Sequence, residues 1–120
     1  MKKYTLVLGA SVNTDRYSNA AIRKLRAKKN ETFAIGNIKG TVLDVEIFDK
    51  KQFFENIDTV TLYLNPERQK EYYDYILALN PRRVIFNPGT ENIELMSLLK
   101  ENNINSEVAC TLVLLSSNQY

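Results

Sequence analysis

Apolar, β-rich runs recur at Tyr4–Leu8, Thr32–Ile35, Val60–Leu64, Arg83–Phe86 and Glu107–Cys110, with helical patterns in most of the intervals. Parallel neighbours in a sheet need a crossover long enough to hold a helix, so this alternation favours a parallel sheet covered on both faces. The expectation is an α/β domain with a doubly wound, mainly parallel five-stranded sheet. At 120 residues the chain is read as a single domain, 1–120, with one core. No internal repeat, low-complexity segment or interdomain linker interrupts it.

The intervals carry their own punctuation. The first helix is expected to start with Ser18 as N-cap and a staple between Tyr17 and Ile22. Ala21, Ile22 and Leu25 then share a face, Lys28 and Lys29 suit the negative end of the dipole, and Asn30 closes the helix in a left-handed conformation. Asn65 reads as a cap with Pro66 as first helical residue, and Tyr72, Tyr73, Ile76 and Leu77 form a stripe for the core. Asn80-Pro81 ends that helix. Thr90 is expected to cap the next one, which buries Leu95, Leu98 and Leu99. Between Lys39 and Glu55 an extra strand at Val45–Phe48 and a helical turn near Gln52–Glu55 are expected. The tail from Thr111 to Tyr120 fits a short helix, a strand or a covering segment.

Composition removes whole classes of chemistry. With no histidine, Ser-His and Cys-His mechanisms are excluded. One cysteine, Cys110, permits neither an intrachain disulfide nor a cysteine metal cluster. A net charge of +2 without a long basic run argues against nucleic acid as a partner. No apolar run is long enough for a bilayer, and no signal-peptide pattern follows Met1, so the expected location is cytoplasmic.

In an open parallel sheet, ligands bind beyond the carboxyl ends of the strands, near the switch in strand order. The segments expected there are Gly9–Tyr17, Gly36–Lys39, Tyr63–Pro66, Asn87–Thr90 and Cys110-Thr111, rich in glycine, amides and hydroxyls. Gly9 permits a tight turn and close backbone approach. A helix start offers free N–H groups to a pyrophosphate, and Arg16, Ser11 and Ser18 add donors. The glycine fingerprint for dinucleotides is incomplete, since Gly9 stands alone, and the second strand ends Ile35-Gly36-Asn37 with Lys39 beyond, where an acidic residue would hold a free ribose. A phosphorylated ribose therefore fits better than NAD.

Gly9-Ala10-Ser11, Asn13, Arg16 and Ser18-Asn19 resemble the first loop of the CoA-binding domain family, the Rossmann-like domains related to the CoA-binding part of succinyl-CoA synthetase. Asn37, the Ile57-Asp58-Thr59-Val60 strand entry, the Asn87-Pro88-Gly89 loop and a late strand ending at Cys110 extend the likeness over roughly residues 4 to 111. The resemblance implies coenzyme A as ligand, with its pyrophosphate on the first loop, its adenosine near the second strand end and its pantetheine along the later loops. The residues assigned to the cofactor are Gly9, Ala10, Ser11, Asn13, Arg16, Ser18, Gly36, Asn37, Lys39, Asn65, Asn87 and Gly89. The chain departs from the family where Gly36-Asn37-Ile38 replaces Val-Asn-Pro, where Asn30 replaces a glycine, and where the fourth-strand loop lacks a glutamine.

Succinyl-CoA synthetase depends on a phosphohistidine and further domains, so its reaction does not transfer with the fold. The expected function is a stand-alone CoA or acyl-CoA binding protein, a carrier, sensor or regulatory module without a catalytic centre. A protein partner or a homo-oligomer is compatible with that role. Two alternatives are thiol exchange or CoA-disulfide chemistry through Cys110, and an NAD(P)-binding domain.

Overall fold

The computed structural model describes residues 3–120. Its seven described strands are β1 (Tyr4–Ala10), β2 (Glu31–Gly36), β3 (Gly40–Val42), β4 (Val45–Phe48), β5 (Ile57–Leu62), β6 (Arg83–Phe86) and β7 (Asn105–Val108). They form one mixed sheet in the order β3-β4-β2-β1-β5-β6-β7. Every neighbouring pair is parallel except β3 with β4. The sheet is thus mostly parallel as expected, and seven-stranded rather than five-stranded. The two extra strands are the hairpin β3–β4, which turns through Leu43 and Asp44 and extends the β2 edge.

The helices are α1 (Tyr17–Ala27), α2 (Pro66–Gln69), α3 (Tyr73–Leu79), α4 (Ile93–Glu101) and α5 (Thr111–Ser116), with a 3₁₀ turn at Lys70–Tyr72. They cover both faces. Leu6 and Leu8 of β1 pack with Ile76 of α3 and Leu95 and Leu99 of α4. Val7 and Ala10, one pleat over, pack with Ile22 and Leu25 of α1 and Leu115 of α5. A strand apolar at successive positions needs both faces buried, and Leu6, Val7 and Leu8 are all fully buried. None of the described helices is long and apolar enough to cross a membrane.

The crossover from β4 to β5 holds no helical turn at Gln52–Glu55. Phe54 instead stacks on Phe33 at 4.2 Å and meets Phe48 edge-on at 5.8 Å, while Phe53 stays exposed. Aromatic packing thus pins the segment flat on the sheet where a helix would otherwise sit. The strand expected at Val60–Leu64 begins earlier, at Ile57, and the last strand ends at Val108 rather than Cys110. The tail forms α5, with Cys110 as its N-cap residue.

Several caps differ from the sequence expectation. α1 starts at Tyr17 with Arg16 in the N-cap position, so Ser18 lies inside the first turn and is buried. Tyr17 is exposed and staples nothing. Asn65 does cap α2, accepting the Arg68 N–H, and Asn80 ends α3 in a left-handed conformation. α4 is capped by Asn92, not Thr90. Asn87-Pro88-Gly89-Thr90 closes a turn through Thr90 N–H to the Asn87 carbonyl, which also takes the Thr90 hydroxyl. Gly89 supplies the φ of +91° that such a turn demands at its third position.

α1 closes through Lys29, at φ 63°, rather than Asn30. Lys29 N–H bonds the Arg26 carbonyl and Asn30 N–H reaches back to Leu25, the paired bonds of a Schellman end. A side chain in that conformation costs roughly 1–2 kcal/mol, partly offset by the extra freedom glycine loses on folding. Lys29→Gly is therefore expected to stabilise the domain by about 0.5–1 kcal/mol, read as a rise in urea midpoint. Asn30→Gly, one position on, should bring no gain.

Candidate functional site

From β1 the chain runs through α1 to β2 on one side, while β5 lies on the other, so strand order switches at β1. In open parallel sheets the ligand crevice is expected beyond the carboxyl end of the strands at that switch. Its floor is set by close backbone approach. Gly9 adopts φ +99°, and a Cβ there would stand 2.9 Å from the Tyr63 carbonyl carbon. A Cβ on Gly36 would stand 2.2 Å from the Ala10 carbonyl oxygen. Both glycines let the neighbouring chain segments press against the end of β1.

That loop holds its own shape. Asn13 N–H donates to the Ser11 hydroxyl at 3.0 Å, and Asp15 N–H to the Asn13 side-chain oxygen at 2.9 Å. The buried Asn19 amide donates to the Ser11 carbonyl at 3.0 Å and accepts from Arg23 Nε at 2.9 Å. Asn19 was not among the residues assigned to the ligand, and its part is to tie the loop to α1. A polar residue in the first turn of a helix, directly after a glycine-led loop, is the signal for it.

The start of α1 has no side-chain cap, its first turn carries no acidic residue, and Arg16 occupies the N-cap position. Arg16 is exposed, and its guanidinium has no ion-pair or hydrogen-bond partner among the described residues. Unsatisfied N–H groups and the positive dipole end favour a negative group there.

The other assigned residues fall into distinct places. Gly9 and Ala10 end β1, Ser11, Asn13 and Arg16 follow in the loop, and Ser18 is buried in the first turn of α1. Gly36 is buried under Ala10, whereas Asn37 and Lys39 are exposed at the β2 end. Asn65 stands across the switch, at the β5 end. Asn37 accepts a short hydrogen bond from the Arg68 guanidinium of α2, a contact that no sequence pattern signals. Gly89 is exposed, and its N–H donates to the Glu91 carboxylate at 2.9 Å.

Asn87 points into the fold. Its Nδ2 donates to Thr61 Oγ1 at 2.7 Å and the Leu62 carbonyl at 2.9 Å, while its Oδ1 accepts Thr111 N–H at 2.8 Å. Thr61 and Thr111 hydroxyls meet at 2.8 Å. The Tyr63 hydroxyl is buried near them with no partner of hydrogen-bonding geometry. Burial pushes its pKa up to about 12, although the threonine hydroxyls pull the other way. The phenol therefore stays protonated at neutral pH. Cys110 is a free, half-buried thiol just before α5. No described group of three or more His, Cys, Asp or Glu residues is placed to hold a metal ion.

A mostly parallel sheet covered on both faces, with its strand order switching at β1, defines a class: open-sheet α/β domains. Within it, the chain belongs to the CoA binding domain family, whose pattern matches residues 3–116. It is similar to a crystal structure of an uncharacterized protein at 47% identity, with 100% of this chain and 99% of that one covered and a TM-score of 0.95. A Thermus thermophilus protein described as cell-free ID.343 shares the fold at 21% identity, TM-score 0.88, over 99% and 91% of the two chains. The fold also matches a dinucleotide-forming acetyl-coenzyme A synthetase 1 of Ca. Korarchaeum cryptofilum, at 12% identity and TM-score 0.71. That match spans 91% of this chain and 26% of the synthetase. No curated protein matches the sequence.

Proposed function

We propose that this protein is a stand-alone binder of coenzyme A or an acyl-CoA, acting as a carrier, sensor or regulatory module. The observation that carries the reading is the uncapped α1 start with Arg16 at its N-cap, a seat for the diphosphate. Gly9 supports it by letting the Tyr63 backbone close against the end of β1, which sets the base of the loop leading to α1. Asn37 and Lys39 follow β2, where the adenosine would lie, and neither is the carboxylate that would repel a phosphorylated ribose. Asn65 borders the far side of the crevice.

The chemistry favours binding over turnover. The loop offers mainly amides, hydroxyls and Arg16 beside the exposed Asp15, and the phenol of Tyr63 holds its proton too tightly to serve as a base at neutral pH.

Thermal unfolding with CoA, dephospho-CoA, NAD and NADP tests the reading. A ligand at a hundredfold excess over its dissociation constant adds roughly 2.7 kcal/mol of stability. CoA is expected to raise the melting temperature and NAD to leave it unchanged; the reverse order would replace this reading with a dinucleotide site. Arg16→Ala is expected to weaken CoA binding by roughly 10- to 100-fold, the worth of one charge-assisted contact, without lowering the melting temperature of the free protein.

A further inference from the structure

Asn37 and Arg68 belong to opposite sides of the crevice. Asn37 follows β2 and Arg68 lies in α2, after β5, so their bond passes over the carboxyl end of β1. Both side chains are exposed, and the acceptor is a neutral amide oxygen. Arg68 makes no ion pair with any described carboxylate. A cation held only by an amide gains by exchanging it for a doubly charged phosphate, which accepts a guanidinium through two parallel bonds. With a diphosphate at the start of α1, the ribose of a nucleotide falls beside the end of the second strand. Asn37 stands at that place, and the Arg68 guanidinium already reaches it.

We infer that Arg68 is a specificity-determining residue that reads a phosphate monoester on the ribose, exchanging the Asn37 amide for it when ligand enters. The inference rests on the CoA reading and deepens it, since the two coenzyme forms that differ by that phosphate become distinguishable. Lys39, exposed on the Asn37 side, adds unspecific attraction. Arg68 supplies the planar fork. Asn37 keeps the guanidinium over the crevice before ligand arrives, which lowers the cost of ordering a long side chain on binding.

Isothermal titration of CoA and dephospho-CoA into the wild type, Arg68→Ala, Arg68→Lys and Asn37→Ala tests this. The wild type is expected to prefer CoA. Arg68→Ala should weaken CoA binding by about 10- to 100-fold and dephospho-CoA by less than about threefold, so that the preference collapses. Arg68→Lys should restore only part of it. Asn37→Ala, which removes the amide that pre-positions the guanidinium, should weaken CoA binding and narrow the preference, by less than Arg68→Ala does. Equal losses for both ligands in Arg68→Ala, or a preference that survives it, would overturn the inference while leaving the CoA reading intact. A wild type that binds CoA without preferring it over dephospho-CoA has the same consequence. A wild type that binds neither ligand overturns both.

Discussion

Placing a methyl group on Gly36 is expected to cost the domain about 3 kcal/mol or more, and to loosen the α1 mouth in the same step. The new Cβ would stand 2.2 Å from the Ala10 carbonyl oxygen, 3.0 Å from its carbon and 3.2 Å from Ile47 Cγ2. Two of those neighbours are backbone and cannot rotate away. Ala10 is the β-ladder partner of Gly36, so relief requires the end of β1 to retreat from β2. Overpacking a core typically costs 1–3 kcal/mol, and a rigid neighbour places this site at or above the upper end.

The retreat also has a functional reading. Ala10 leads directly into Ser11, whose carbonyl accepts the Asn19 amide that ties the loop to α1. Displacing Ala10 strains that tie and shifts the seat proposed for the diphosphate. Gly36→Ala should therefore show a lower urea midpoint together with a smaller melting-temperature rise from CoA. Gly40→Ala is the comparison. Its Cβ would meet Val12 Cγ1 at 2.4 Å, the far end of an exposed side chain that can turn aside. That variant should stay within about 0.5 kcal/mol of wild type. Wild-type stability and CoA response in Gly36→Ala would show that the strand ends yield more than their packing indicates.

Much of this architecture is legible along the chain because it rests on local signals. The apolar face of α1 at Ala21, Ile22 and Leu25, the Asn65-Pro66 helix start and the β4 strand at Val45–Phe48 all follow from spacing and capping chemistry. The hairpin strand Gly40–Val42 does not, since three residues show too little alternation to be told from loop. The crossover before β5 is decided by Phe54 stacking on Phe33, a contact between residues 21 apart. Thr90 looks like a cap until its hydroxyl is taken by the Asn87 carbonyl, leaving Asn92 to start α4.

At the site the same division holds. Glycines at the ends of β1 and β2 are visible in sequence, but the reason for Gly36 appears only once Ala10 lies beside it. Arg68 reaches Asn37 across 31 positions, and no periodicity announces that. Asn87 occupies a loop position that suggests a ligand contact, yet its amide turns inward. Polar residues at strand ends can serve either the ligand or the fold, and only the neighbouring strand decides which.

Asn87 is accordingly a polar side chain whose loss is expected to weaken the domain strongly. It is nearly fully buried and joins two elements through one amide: Thr61 and Leu62 of β5 through its N–H groups, and the first residue of α5 through its oxygen. Asn87→Ala leaves the Leu62 carbonyl and Thr111 N–H without that partner and removes one from Thr61. An unsatisfied buried polar group costs about 1–3 kcal/mol, and the surviving Thr61–Thr111 bond limits the sum, so a loss of about 3–5 kcal/mol is expected. Against a typical total of about 5–15 kcal/mol, that leaves a marginal fold. Because the amide holds the start of α5, Cys110 should also react faster with a thiol reagent. Asn87→Asp separates the hydrogen bonds from simple packing, since its shape is nearly unchanged. The introduced carboxyl loses donors and, when ionised, faces the Leu62 carbonyl, which raises its folded-state pKa above the ordinary value of about 3.9. The variant should therefore be most stable relative to wild type below about pH 4, and should lose ground as pH rises through the raised folded value. A stability difference from wild type that is flat across that range would mean the amide fills space without holding these elements together.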